Sequence, residues 1–136
     1  MAVRLLLDTN VVSDFVRGHA VVQAKLRATP PGELAVSAVS VMEIHYGLAL
    51  EPSRARRLRP VIDALLGAVT LLPFAAEDAQ AAGAVRAALR RRGRPIGPYD
   101  VLLAGTALAR GLTLVTANAS EFRRVSGLGV EDWRRN

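Results

Sequence analysis

Cysteine is missing from this chain, and its absence removes three chemistries together: disulfide bridging, thiolate catalysis and Cys-ligated zinc. Lysine is almost missing. Lys25 is the only one, so all but one of the eighteen basic residues are arginine. No Gly-rich phosphate loop with a lysine can therefore be drawn. The same shortage argues against a phosphoryl-accepting receiver domain, which wants a lysine on a late strand. Histidine occurs only at His19 and His45, isolated positions that read as surface or packing residues. Long apolar runs are absent too. The longest, Val101–Ala109, lies between Asp100 and Arg110 and falls well short of the ~20 residues a membrane span needs. At the start, Met1-Ala2-Val3-Arg4 is followed by only three leucines before Asp8, which does not make a secretory leader. The expectation is a soluble cytoplasmic protein without a membrane partner.

What is present is a small, basic, core-forming chain. Its 136 residues are 51% hydrophobic, enough to bury one core, and a single domain over residues 1–136 is expected. Eighteen basic residues against twelve acidic give a net charge of +6. A basic domain of this size points to a polyanionic partner, nucleic acid first, with an affinity that falls as salt rises. The mean hydropathy of +0.24 is positive for so short a chain, which suggests apolar surface covered by a partner.

Strand and helix signals alternate along the chain. Arg4–Asp8 is a continuous apolar run ending in a carboxylate and reads as a buried parallel strand. Asn10–Arg17 carries an apolar face of Val11, Val12, Phe15 and Val16, and Ala20–Ala28 is a second short helix closed by Thr29-Pro30-Pro31-Gly32. Glu33–Val36 reads as a strand, Ser37–Ser40 as a turn, and a helix continues to about Leu50. Ser53–Gly67 is helical, Val69–Leu72 a third strand and Ala76–Arg92 an alanine-rich helix with a basic end. Gly93–Pro98 is a loop, Tyr99–Arg110 a buried helix stopped by Gly111, and Leu112–Thr116 a fourth strand. Asn118–Arg124 holds a short helix or turn, and Val130–Asp132 a last strand. This alternation predicts an α/β fold with a mostly parallel sheet covered on both faces.

The twelve acids then separate by position. Glu33, Glu51, Asp63, Glu77 and Asp78 fall at helix starts, turns or polar faces and read as solvated surface. Four others follow strands. Asp8 ends the first strand, Glu43 lies a turn beyond the second, and Glu121 follows the fourth. Asp100 joins them if the Gly/Pro loop returns the chain to the same edge. Each has a purely structural alternative. Asp8 could cap a helix, and Ser40-Val41-Met42-Glu43 could be a capping box. Asp100 could complement a helix dipole, and Glu121 could pair with Arg124. Together they predict one acidic crevice beyond the carboxyl ends of parallel strands. Clustered carboxylates repel and resist ionisation, and a divalent cation removes that conflict. Oxygen-only ligands favour Mg²⁺ or Mn²⁺ over zinc. Such a cation can promote attack on a phosphodiester. An aspartate-nucleophile phosphatase would want a second acid two residues after Asp8, where Asn10 stands.

Four segments carry a family resemblance: Leu6-Leu7-Asp8-Thr9-Asn10, Val36–Glu43, Gly97–Ala104 and Leu114–Phe122. In this order and spacing they resemble the PIN-domain ribonucleases, and more closely the VapC-type toxins of bacterial type II toxin–antitoxin systems. The tail Phe122–Trp133 is similar as well. The resemblance implies a three-layer α/β/α fold and a Mg²⁺- or Mn²⁺-dependent endoribonuclease, with tRNA as one candidate substrate. It also implies inhibition by a VapB-like antitoxin and a toxin homodimer. By motif, Asp8, Glu43 and Asp100 fall on the three core acids. The fourth place goes to Glu121, with Asn118 as a neutral ligand or hydrogen-bond donor. Thr9 and Thr116 are expected to orient carboxylates or bound water, with Asn10 beside them. Ala104-Gly105-Thr106 departs from the paired alanine and histidine of many relatives, which bears on local packing. The rival reading is a PIN-like RNA-binding or adaptor domain without activity.

Overall fold

Three leucines occupy the centre of the sheet. A computed structural model describes residues 2–135, which form five strands and seven α-helices. Strand β1 is Leu5–Leu7, each residue at most 2% exposed. Full burial of one leucine side chain is worth about 1.5–3 kcal/mol. Then come helices α1 (Thr9–Val16) and α2 (Ala20–Ala28), a 3₁₀ turn (Pro31–Glu33), and strand β2 (Leu34–Ser37). Helices α3 (Ala38–Leu50) and α4 (Pro52–Ala68) lead to β3 (Thr70–Leu72). Helices α5 (Ala76–Arg91) and α6 (Pro98–Arg110) lead to β4 (Thr113–Val115), then α7 (Ala119–Phe122) and β5 (Val130–Glu131).

All strand pairs are parallel, in the order β3-β2-β1-β4-β5. Successive side chains of a strand point to opposite faces, so a run apolar at every position needs cover on both sides. Leu5, Leu7, Val36 and Val115 pack with α1, α2, α3 and α4 on one face, where Trp133 joins them. Leu6, Ala35 and Leu114 pack with α5, α6 and Phe122 on the other. That is the expected three-layer α/β/α arrangement. Among the described residues no helix is long and apolar enough to cross a membrane.

The register sets the functional edge. Leu7 of β1 lies opposite Val36 of β2 and Val115 of β4. Asp8 and Thr116, which follow Leu7 and Val115, therefore leave the sheet level with Ser37, the last residue of β2. The chain runs outward from β1 through β2 to β3, then crosses back to β4 on the other side of β1. The gap between β1 and β4 is thus the switch point at which parallel sheets hold ligands.

Two expectations are overturned. Ser37–Ser40 is not a turn. Ser37 ends β2 and is itself the N-cap of α3, its Oγ accepting from Val39 N at 3.0 Å. The cap therefore falls three residues earlier than a box from Ser40 to Glu43 requires. Ser40 lies inside the helix, 0% exposed, with no hydrogen-bond partner for its hydroxyl. Asp78 is not solvated surface either. It is 0% exposed, accepts from Ala75 N at 2.8 Å, and receives a two-pronged contact from Arg110 at 3.0 and 2.8 Å. Burial alone would raise its pKa, but the Arg110 guanidinium and the Ala75 amide outweigh burial and hold it below the usual range. A residue 32 positions away supplies the partner, so the local pattern could not reveal it.

The departure at Gly105 has a packing reason. A Cβ there would lie 2.6 Å from the backbone nitrogen of Ala82, where α6 crosses α5. Gly105→Ala gains about 1 kcal/mol of helix propensity but forces two backbones apart. A net loss of about 1–2 kcal/mol is expected in urea unfolding. An unchanged midpoint would mean that the two helices separate freely.

Candidate active site

Asp8 is both a helix cap and the centre of a network. It is 5% exposed. Its carboxylate accepts from Thr9 N at 2.7 Å, from Asn10 Nδ2 at 3.2 Å and from Thr116 Oγ1 at 2.8 Å. Its own backbone nitrogen donates to Val115 O at 2.9 Å, which anchors it to β4. Burial pushes its pKa up and the nearby Glu43 charge adds to that, while the hydrogen bonds from Thr116, Thr9 and Asn10 pull against them.

The other predicted residues attach to this centre in two arms. On the α1 side, Thr9 Oγ1 donates to Glu43 Oε1 at 2.9 Å, which ties α3 to the end of β1. On the β4 side, Thr116 Oγ1 accepts from Asn118 N at 2.9 Å, and Asn118 Nδ2 donates to Glu121 Oε2 at 2.6 Å. Glu121 therefore binds Asn118. Arg124 turns away and donates to Pro95 O at 3.3 Å. Asn10 closes the ring: its Oδ1 accepts from Ala117 N at 3.1 Å, just past the end of β4. Its carboxamide thus bridges the two strand ends, a role the sequence did not reveal.

Asp100 enters from α6, in its first turn after Gly97. A Cβ on Gly97 would sit 3.1 Å from Asp100 Oδ2, so the bare glycine leaves that oxygen room. Burial raises its pKa most, followed by the charges of Asp8, Glu121 and Glu43, and together they push it to about 6. Asp8, Glu43 and Glu121 thus all lie within electrostatic reach of Asp100 at the β1–β4 switch point. Among the described residues no three His, Asp or Glu side chains converge as a finished metal cage. Glu43 and Glu121 each give one oxygen to a neutral donor. The donor set is all oxygen, the kind that suits a hard divalent cation.

The two histidines lie apart from this network. His19 caps α2, its Nδ1 accepting from Val22 N at 3.4 Å, and His45 is exposed on α3. Beside the acids a cavity of about 210 Å³ runs along α1, α3 and α4. It begins at Thr9 and Glu43 and is floored by Val12, Leu48, Leu58 and Ile62. The helical periodicity of α4 showed its apolar face but not that this face borders the acids.

A carboxyl that holds its proton more tightly in the folded chain favours folding below its unfolded pKa. That contribution disappears as pH rises through the folded value, so for Asp100 the window lies between 3.8 and about 6. Asp14 and Asp78, held low by their arginines, act in the opposite sense at lower pH. In EDTA the thermal midpoint is therefore expected to fall between about pH 5 and about pH 7. Asp100→Asn should flatten that fall and stabilise the chain at neutral pH by about 1 kcal/mol, allowing for solvent screening. Calorimetry of both proteins across this range checks it, and parallel curves would mean that neither burial nor the neighbouring acids raise Asp100.

The PIN domain family matches residues 5–128. The tRNA(fMet)-specific endonuclease VapC of Shigella flexneri is 36% identical over 130 residues, spanning 96% of this chain and 98% of that protein. Ribonuclease VapC2 of Haemophilus influenzae is 31% identical over the same shares. Among solved structures, the DNA-bound VapBC complex of Salmonella typhimurium superposes with a TM-score of 0.88 at 31% identity, covering 96% of this chain and 98% of that one. The family match over residues 5–128 and these relatives show that the chain belongs to the PIN domain family, in the branch of the VapC ribonucleases.

Proposed function

We propose that this chain is a VapC-type endoribonuclease toxin that uses Mg²⁺ or Mn²⁺, acts on tRNA, and is neutralised by a VapB-like antitoxin. The observation that carries the reading is Asp100, raised to about 6 among Asp8, Glu121 and Glu43 at the mouth of a parallel sheet. Asp8 and Asp100 would hold the cation, with Glu43 and Glu121 completing its surroundings. When bound, the cation would supply positive charge that favours the ionised forms of Asp8 and Asp100 and draw electron density from a phosphodiester.

The remaining residues keep the acids in place. Thr116 and Asn10 fix Asp8 against β4, Thr9 fixes Glu43, and Asn118 fixes Glu121. We assign Asn118 a positioning role and Glu121 the fourth acidic place. The tRNA preference is taken from the Shigella relative, whose name gives that substrate. The antitoxin reading is supported by the VapBC complexes that the fold resembles. An antitoxin segment seated in the cavity beside Thr9 and Glu43 would block the crevice.

Purified chain should cut tRNA with Mg²⁺ or Mn²⁺ and stop in EDTA. Asp8→Asn and Asp100→Asn should each lower kcat/KM by about 100-fold or more, and Glu121→Gln should cost more than Asn118→Ala. RNA binding without cleavage would favour the inactive adaptor reading instead. Homodimerisation fits Met42, Tyr46 and Leu50, exposed by 42%, 64% and 63% at one-turn intervals along α3. Light scattering of the isolated chain should give the mass of two copies, and Tyr46→Glu should shift it to one. A native chain that is already monomeric would refute the pairing.

A further inference from the structure

The two connections that carry Asp100 and Glu121 to the crevice also carry arginines, and those arginines share a second hollow. Its volume is about 340 Å³, and it is lined by Arg92, Arg94, Ser120, Arg123 and Arg124. Arg92 and Arg94 lie where α5 gives way to the loop leading to Gly97 and Asp100. Ser120 lies on α7 next to Glu121, and Arg123 and Arg124 follow directly. The short α7 turn thus offers Glu121 to Asn118 at the crevice and its neighbours to the hollow.

The walls are joined by two of their own arginines. Arg92 Nη2 donates to the carbonyl of Arg124, and Arg124 Nη1 donates to Pro95 O at 3.3 Å. The Nε of Arg124 is buried without a hydrogen-bond partner. Arg94 and Arg123 are left exposed on the rim. No acid lines the hollow. Among the described residues none of the four arginines has a carboxylate within ion-pair distance, whereas Arg4, Arg54, Arg110, Arg134 and Arg135 all do. Four guanidinium groups around one concavity repel one another, and an anion with several charged oxygens relieves that repulsion.

We propose that this hollow is a subsite for the phosphodiester backbone of the RNA, with Arg94 and Arg123 as its contacting residues and Arg92 and Arg124 as its frame. The ligand is taken from the nuclease reading above. The subsite would seat phosphates on the Glu121 side of the crevice and so set the register in which the strand crosses the acids. Guanidinium groups bind phosphate in pairs of hydrogen bonds, and Ser120 adds a hydroxyl to the same wall. An acidic segment of a protein partner is the competing occupant, but the link to the acid-bearing loops favours the strand being cut.

The test uses the full chain with Arg94→Ala and Arg123→Ala combined, beside a control carrying Arg56→Ser and Arg57→Ser on α4. Binding of unfractionated bacterial tRNA is measured in EDTA over a range of salt concentrations. The rim variant should bind about tenfold more weakly at low salt, and its slope of log affinity against log salt should fall by about 1.5. The control should lose less than half as much slope, and thermal melting should show all three proteins folded. With metal added, the rim variant should lose activity through a higher KM at nearly native kcat. Native affinity and slope in a rim variant, from a chain that does cut RNA, would overturn the subsite and leave the nuclease reading standing. Native RNA binding with weakened antitoxin binding would overturn it in favour of the protein partner. A chain that never cuts RNA but binds it through Arg94 and Arg123 would support the subsite and sink the nuclease reading.

Discussion

The hydrogen bond from Thr116 Oγ1 to Asp8 Oδ2, 2.8 Å long, joins the ends of β1 and β4 across 108 positions of sequence. The acidic crevice depends on it. Thr116 is 0% exposed and Asp8 only 5%, so water cannot readily replace either partner. Around this bond the chain buries carboxylates and gathers like charges, and burial first, then the neighbouring acids, push the pKa values of Asp8 and Asp100 up. The restraints on the acids come from hydroxyl and carboxamide groups and a backbone amide: Thr9, Asn10, Thr116 and Asn118. Neutral donors fix an acid without cancelling its charge. An arginine in the same place would hold the geometry and quench the field.

The chain shows the contrast within itself. Asp14 and Asp78 are buried acids too, but each meets a guanidinium. Arg134 reaches Asp14 at 2.7 and 2.8 Å, and Arg110 reaches Asp78 at 3.0 and 2.8 Å. Both carboxyls are held below the usual range. Those pairs bind distant parts of the fold together: the C-terminal segment to α1, and the end of α6 to the start of α5. Aspartate thus fastens the fold where it has a cationic partner and builds a negative crevice where it has none. Breaking a buried pair by removing one partner typically costs about 3–5 kcal/mol, because the other charge is stranded.

Charge is segregated on the surface as well. A net charge of +6 sits around a crevice of four acids, with unpaired arginines at its Glu121 side. A polyanion is drawn to the basic surface by long-range attraction and would be repelled by the bare crevice. A cation in the crevice would reverse that repulsion at the one place where the strand must approach closely. In the proposed nuclease, docking and chemistry would fall to different side chains.

Much of the fold was legible from local pattern. Leu5-Leu6-Leu7 announces a strand buried on both faces, and Gly111 stops α6 with a φ of 66°. The helix spans fell within a residue or two, because apolar periodicity and Gly/Pro punctuation are local signals. The segment after β2 was missed: Ser37 and Ser40 are both plausible caps, and only the strand register made Ser37 the last residue of β2. Three of the crevice acids could be picked out because Asp8 lies just beyond a strand and Asp100 and Glu121 fall in the first turn of a helix, whereas Glu43 sits in the second turn of α3. Their positions predicted a shared crevice, but which strand ends frame it and whether Asp100 joins depend on β4 lying beside β1 and on α6 starting at that edge. The partners of Asp14 and Asp78 lay 120 and 32 residues away, and nothing in the local sequence distinguishes an arginine that will meet an acid from one that will face solvent. Sequence by itself determined which groups were available and which elements would carry them. The tertiary structure decided which acids kept their repulsion and which lost it to an arginine, because pairing over such distances is set by sheet order and helix packing.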